Sequence, residues 1–154
     1  MHRFTVLRDT REKKPYDFQN YPVQTKDKKL TTGDYCLERD ATEMPKGGYE
    51  PSYAVERKNP SDFVNSITWE RDRFENELAR ADSMPHRMPV VVERSKQYFE
   101  DGHYYRNVNP SSILGTIDAH PQRYNIDYFF SPNRNDAEYT TFEFLDWRRK
   151  QLVE

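Results

Sequence analysis

The sequence predicts an α/β fold, with a mixed central sheet flanked by helices. Three observations predict it. Short β-rich runs fill the chain as far as Lys58. After that, helical stripes alternate with apolar strands. Pro89-Val90-Val91-Val92 is a continuous apolar run, which suits a strand buried on both faces. A chain of 154 residues allows one domain with a proper core, so a single domain over residues 1–154 is expected.

Phe4 to Leu7 alternates into Arg8 and Asp9 and reads as a first short strand. Lys13 to Tyr21 is turn-rich, with Pro15 and Asn20. Val23 to Lys29 reads as an edge-like strand full of lysines. Asp34 to Glu38 is a third strand. Asp40 to Pro51, with Pro45, Gly47 and Gly48, is a hairpin-like loop. Ser52 to Arg57 is a fourth strand. Asn59-Pro60 starts a helix, with Asn59 as cap and Pro60 in the first turn. Phe63, Val64 and Ile67 lie on one face of it. Trp69 to Met84 reads as a longer helix with the stripe Phe74, Leu78 and Ala81. Met88 to Glu93 is the buried strand, and Ser95 to Glu100 is a short helical turn ended by Gly102. Pro110 to Tyr124 is a helix with Ile113, Leu114 and Ile117 inward, kinked or ended by Pro121. Ile126 to Phe130 is the last core strand. Asp136 to Val153 is a terminal helix with Phe142, Leu145 and Leu152 along one side.

Composition narrows the class. Charged residues make up 32% and the mean hydropathy is -1.13, which describes a very soluble chain. Hydrophobic content is low at 34%, but 14% aromatics compensate, because large rings bury much area each. No apolar stretch is long enough for a membrane span, and no signal-peptide pattern opens the chain. The single cysteine, Cys36, excludes an internal disulfide and suits a reducing compartment. The expected location is the cytoplasm of a prokaryotic or virus-infected cell, or the nucleus of a eukaryotic one. His2, His86, His103 and His120 are scattered without zinc-ligand spacing and read as surface or partly buried histidines.

The net charge of -2 hides an uneven distribution. Arg8, Arg11, Lys13 and Lys14 surround Asp9. Lys26, Lys28 and Lys29 precede Asp34. Arg57 and Lys58 adjoin Glu56, and Arg71 and Arg73 follow. A basic rim around acids suits phosphate binding at the rim and a cation at the centre. On the strand Val55-Glu56-Arg57-Lys58, alternation puts Glu56 and Lys58 on one face and Arg57 on the other. Taken alone, Glu56 and Lys58 read as a surface pair. With Asp34 a strand earlier, Asp9 in an Arg-Asp-x-Arg-Glu setting and Asp62 at a helix start, they read as a metal site. A hard cation needs only two or three carboxylates, because it keeps several waters. There it would polarise a phosphoryl oxygen and activate water, with Lys58 orienting that water or stabilising the developing charge. The chain therefore reads as a metal-dependent nuclease.

The pattern Gly33-Asp34, a gap, Glu56-Arg57-Lys58, then Asp62 resembles the signature of the XPF/Mus-type structure-specific endonucleases of the PD-(D/E)XK nuclease superfamily. Asp9-Thr10-Arg11-Glu12 resembles that family's first acidic motif, and Leu30 to Tyr35 its second. Asn65-Ser66-Ile67, Arg73-Phe74-Glu75, Ser111 to Ile117 and Asn135 to Glu138 resemble its later helical segments. The resemblance implies a restriction-endonuclease-like core and a Mg²⁺- or Mn²⁺-dependent endonuclease acting on branched or flapped DNA. It implies Asp34 and Glu56 as the principal metal ligands, with the Arg57 carbonyl completing the set. Lys58 would be the catalytic lysine. Asp9 would line the site and bind a second metal or its water. Arg57 and Asp62 would support the site. Arg73 would face the DNA, joined at phosphates by Arg11, Lys14 and Lys28 of the basic rim. Members usually add a tandem helix-hairpin-helix domain, and no such segment is expected within these residues. Relatives pair through their nuclease domains, and Tyr124, Tyr128, Phe129, Phe130, Tyr139, Phe142 and Phe144 are more rings than one small core easily covers. A homodimer is therefore expected. The alternatives are a junction resolvase or exonuclease of the same superfamily, or a non-catalytic DNA-binding partner subunit.

Overall fold

The computed structural model describes residues 2–102, 104 and 107–153. His103 lies outside the described residues. The chain runs β1 (Phe4–Arg8), β2 (Val23–Asp27), β3 (Tyr35–Leu37), β4 (Ala41–Glu43), β5 (Tyr49–Pro51), β6 (Ala54–Lys58), α1 (Pro60–Ile67), α2 (Arg71–Arg80), β7 (Met88–Val92), α3 (Lys96–Asp101), α4 (Pro110–Arg123), β8 (Ile126–Phe130) and α5 (Arg134–Leu152). Six strands form one mixed sheet in the order β2-β1-β3-β6-β7-β8. β2 runs parallel to β1, β3 is antiparallel to both β1 and β6, and β6, β7 and β8 are mutually parallel. This is the restriction-endonuclease-like architecture. The segment after β3 is a separate two-stranded hairpin, β4 with β5.

Strand alternation divides the core between the two faces of the sheet. Leu7, Cys36, Ala54, Val90 and Val92 point to one side and pack with Phe63, Phe74, Leu78, Ile113 and Ile117 from α1, α2 and α4. Val6, Tyr35, Leu37, Val55 and Val91 point to the other and pack with Tyr16, Phe18 and the α5 residues Ala137, Phe142 and Leu145. β7 is buried at every position, as its continuous apolar run requires.

The helix expected from Trp69 to Met84 is shorter. Thr68 ends α1 with φ -120° and ψ -91°, and its hydroxyl donates to the Val64 carbonyl at 2.6 Å. α2 then starts at Arg71 and stops at Arg80, followed by a 3-10 turn over Ala81–Ser83. Asn125 holds that turn, its Nδ2 donating to the carbonyls of Ala81, Met84 and His86 at 3.0, 3.2 and 3.0 Å. A single amide thus satisfies carbonyls that a longer helix would have paired internally. Pro121 sits in the last turn of α4, which ends two residues later at Arg123. Leu114 is only half-buried, while Thr116 is buried. His120 is not partly buried but fully so: Nε2 meets Glu75 Oε2 at 2.8 Å and Nδ1 meets the Tyr128 hydroxyl at 2.6 Å. Among the described residues, no helix is long and apolar enough to cross a membrane.

Candidate active site

The backbone gathers the charged motifs at one end of the sheet. The Asp9 amide donates to the Asp34 carbonyl at 2.8 Å, and the Asp34 amide donates to the Val55 carbonyl at 2.9 Å. These bonds set the ends of β1, β3 and β6 side by side, so three motifs distant in sequence share one edge. Gly33 makes the approach possible. It adopts φ +75°, and a Cβ built there would lie 2.6 Å from the Ala54 Cβ. Only glycine takes that conformation and that contact without strain.

A cleft opens at this edge. Asp9, Arg11, Asp34, Glu56, Lys58 and Asp62 all line it, as do Glu12, Phe74, Glu77 and Arg80. Asp34 Oδ2 accepts the Arg57 amide at 2.8 Å, which fixes the carboxylate against β6. Lys58 Nζ stands 3.6 Å from Glu56 Oε2 and 4.7 Å from the centre of the Phe74 ring. An acid on one side and an aromatic face on the other hold the ammonium at one point of the cleft wall.

The electrostatics follow from burial. Loss of water, then the charges of Glu56 and Glu12, push Asp34 well above the usual carboxylate range. Glu56 is pushed up to about 7, chiefly by burial, with Lys58 opposing. Lys58 loses hydration, but Glu56, Asp34 and Glu77 outweigh that loss and hold its proton more tightly than usual. A buried carboxylate, Glu56, and a half-buried one, Asp34, face one space and are reluctant to ionise together, which fits a hard divalent cation: its charge would replace the missing counter-charge. Among the described residues, no three His, Cys, Asp or Glu side chains converge closely enough to hold a metal by themselves. Two carboxylates would leave the remaining positions to water and substrate oxygens, as is usual for Mg²⁺.

Asp9 is buried, and its oxygens are already engaged. Arg11 Nε donates to Oδ2 at 2.9 Å, and the Leu30 amide donates to Oδ1 at 2.9 Å. It could meet a second cation only by releasing Arg11. Asp62 lies in the first turn of α1, with its amide capped by Asn59 Oδ1 at 2.8 Å and its Oδ2 accepting Asn59 Nδ2 at 3.0 Å. Of the four basic residues expected at phosphates, Arg11 lines the cleft, while Lys14, Lys28 and Arg73 do not. Much of the expected basic rim is paired. Arg8 meets Asp27, Lys26 meets Glu38, Arg71 meets Glu75 and Arg73 meets Glu70.

Arg57 does not belong to the rim. Its side chain leaves the cleft face for the other side of β6 and is buried in an ion cluster. Nε and Nη2 donate to the two Glu93 oxygens at 2.9 and 3.1 Å, and Nη1 to Glu12 Oε1 at 3.1 Å. The Tyr16 hydroxyl also donates to Glu93, and Arg134 of α5 reaches it at 3.4 Å. The Tyr35 hydroxyl donates to Glu12 Oε2 at 3.3 Å. Burial opposes the guanidinium charge, but Glu93 and Glu12 overcome it and raise its proton affinity. Reasoning from sequence missed Glu12, Glu93 and Glu77. Glu12 stood inside a quoted motif, and Glu93 follows an otherwise apolar strand, which is an unusual place for a charge. Glu77 sits three residues after Phe74, on the cleft side of α2.

A model of the ERCC4 domain family matches residues 8–144. Among solved structures, the chain is similar to XPF from Aeropyrum pernix, with a TM-score of 0.71 and 20% identity over 94% of this chain and 61% of that one. It is also similar to XPF from Aeropyrum pernix in complex with DNA, with a TM-score of 0.68 and 22% identity over 97% of this chain and 66% of that one. The chain thus spans less than two-thirds of the length of either. No curated protein sequence matches it.

Proposed function

The chain belongs to the ERCC4 domain family, and from that premise we propose that it is a metal-dependent endonuclease hydrolysing phosphodiester bonds in DNA, with residues 1–154 acting as one nuclease domain. The observation that carries this is the buried Glu56 carboxylate, the half-buried Asp34 carboxylate and an ammonium on the wall of an open cleft. Asp34 and Glu56, with the Arg57 carbonyl, would hold Mg²⁺ or Mn²⁺, which when bound polarises the phosphoryl oxygen and lowers the pKa of water. Lys58 faces the reacting phosphate and stabilises the charge that builds there. Glu56 and the Phe74 ring keep its ammonium in place. Asp9 orders the cleft floor through Arg11 and the Leu30 amide. Arg57 supports β6 from behind, and Asp62 steadies the start of α1.

The substrate is branched or flapped DNA, bound at phosphates through Arg11, Lys14, Lys28 and Arg73. That a similar protein, XPF from Aeropyrum pernix, was solved in complex with DNA supports DNA as the substrate class. The complete set of acids and lysine argues against a non-catalytic partner subunit. The test is a cleavage assay with Mg²⁺ or Mn²⁺ on duplex, flap, fork and four-way-junction DNA. Cleavage of flap or fork in preference to duplex is expected, and full cleavage in excess chelator would overturn the proposal. Affinity should fall steeply with salt, because each phosphate contact releases counterions.

Lys58→Ala should lower the single-turnover rate about a hundredfold while leaving DNA affinity nearly unchanged, as loss of one charge-stabilising donor does. Cleavage at the normal rate would move Lys58 out of the chemistry.

Assembly as a homodimer completes the proposal. Tyr128 and Phe130 pack on Phe63, and Phe142 stacks on Tyr21 and Phe4, so these rings belong to the monomer. Phe129 and Trp147 remain 37% and 39% exposed and line an apolar groove with Tyr53, Pro89 and Phe144. A second copy of the chain, meeting this groove about a two-fold axis, would cover both sets of rings. Light scattering at micromolar concentration should give a dimer, and Trp147→Glu a monomer. A clean monomer for the unaltered chain would leave this groove without a partner copy.

A further inference from the structure

Glu77 is the acid in the cleft that no part of the proposed chemistry uses. It projects from α2, one turn beyond Phe74, the ring beneath the Lys58 ammonium. It is half-buried, and its charge acts on Glu56, Lys58 and Arg11, so it faces the same space as the carboxylates on the sheet. No hydrogen bond or ion pair engages it among the described residues, whereas Asp9, Glu12, Asp34 and Asp62 all have partners. Among the described residues, it does not join Asp34 and Glu56 in a group able to hold a metal.

A spare carboxylate in a cleft that receives phosphates weakens binding by repulsion, unless it serves the reaction. We propose that Glu77 is a catalytic residue that binds the attacking water from the helix side of the cleft and takes its proton. The inference rests on the nuclease reading. As the water oxygen forms its bond to phosphorus, one proton passes to the Glu77 carboxylate. The bond from phosphorus to the leaving ribose oxygen breaks with its electron pair, and that oxygen takes a proton from solvent. Glu77 then returns its proton to solvent. Lys58, on the other wall, faces the charge developing on phosphate.

The test compares Glu77→Gln, Glu77→Asp, Glu56→Gln and the unaltered chain. Single-turnover cleavage of a labelled forked duplex is measured with Mg²⁺ across pH. Binding of the same duplex is measured in Ca²⁺, and Ca²⁺ binding by titration calorimetry without DNA. Glu77→Gln should cleave about a hundredfold more slowly, the usual size of a general-base contribution, and lose part of the pH dependence of the rate. It should bind Ca²⁺ normally and bind the duplex as tightly as the unaltered chain or more so. Glu77→Asp should recover part of the rate. Glu56→Gln should lose Ca²⁺ binding. Glu77→Gln cleaving within threefold of the unaltered chain overturns the inference and leaves the nuclease reading intact, as does loss of Ca²⁺ binding in Glu77→Gln. An unaltered chain that neither binds Ca²⁺ nor cleaves overturns the nuclease reading, and the inference with it.

Discussion

Asp34→Asn should abolish cleavage and at the same time make the metal-free protein more stable at pH 8. Both effects have one cause. In the folded chain the half-buried Asp34 lies beside the buried Glu56, and both hold their protons more tightly than exposed carboxylates do. The stability tied to those protons is fully present below the unfolded carboxylate value, about 4. It is lost as pH rises through the folded values, which for Glu56 is about 7. Above that, the metal-free protein carries an unrelieved pair of negative charges largely withdrawn from water. Asparagine keeps the shape and can still accept the Arg57 amide, but removes one charge of the pair. At pH 8 the variant should therefore melt at a higher temperature than the unaltered protein in the absence of metal. In thermal melts with chelator, the unaltered protein should lose stability between pH 5.5 and pH 8, and Asp34→Asn should lose less. Mg²⁺ at pH 8 should raise the melting temperature of the unaltered protein and not of the variant. Unimpaired cleavage by Asp34→Asn would remove this residue from the site.

The largest loss of stability is expected behind the cleft, from Glu93→Gln. The Glu93 carboxylate receives two bonds from Arg57, one from Tyr16 and one from Arg134. Removing its charge leaves the Arg57 guanidinium buried against Glu12 alone. Breaking a buried pair from one side costs about 3–5 kcal/mol, because the remaining charge has lost both water and partner. For a chain of this length, that lowers the melting temperature on the order of 10 °C. Cleavage should fall as well, because Arg57 lies between Glu56 and Lys58 on β6. Urea and thermal unfolding measure the first effect, and cleavage well below the melting temperature measures the second. A melting temperature within about 2 °C of the unaltered protein's would show that the cluster adds little, and that Arg57 is held by Glu12 and packing.

Much of this fold was legible from local pattern. The period-two alternation on β6 correctly separated Glu56 and Lys58 from Arg57, because side chains on a strand can point only two ways. The apolar run of β7 marked a central strand, and Asn59-Pro60 marked the start of α1, because capping is decided within four residues. The end of α2 was not legible. Its sequence continues a helical stripe to Ala81 and Met84, but Asn125, distant in the chain, bonds the carbonyls there and turns it. The destinations of the charges were not legible either. A list of arginines and lysines reads as a basic rim, yet Arg57 is buried, Arg8 and Lys26 lie against acids that only folding brings near, and Arg73 pairs with Glu70 three residues before it.

The sequence by itself determined the order of elements, the family signature and the faces of the strands. Each depends on neighbours a few residues apart, or on a pattern that survives as text. The tertiary structure alone decided that Asp9, Asp34 and Glu56 meet at one edge, through backbone bonds spanning 25 and 21 residues. It alone decided that Glu12 and Glu93 pair with Arg57 behind the sheet, and that Glu77 of α2 faces the cleft. The physical reason is that a charge is defined by what surrounds it. Water, a counter-ion or a buried twin carboxylate gives the same glutamate a different proton affinity and a different use, and those surroundings exist only once the sheet and helices have closed around it.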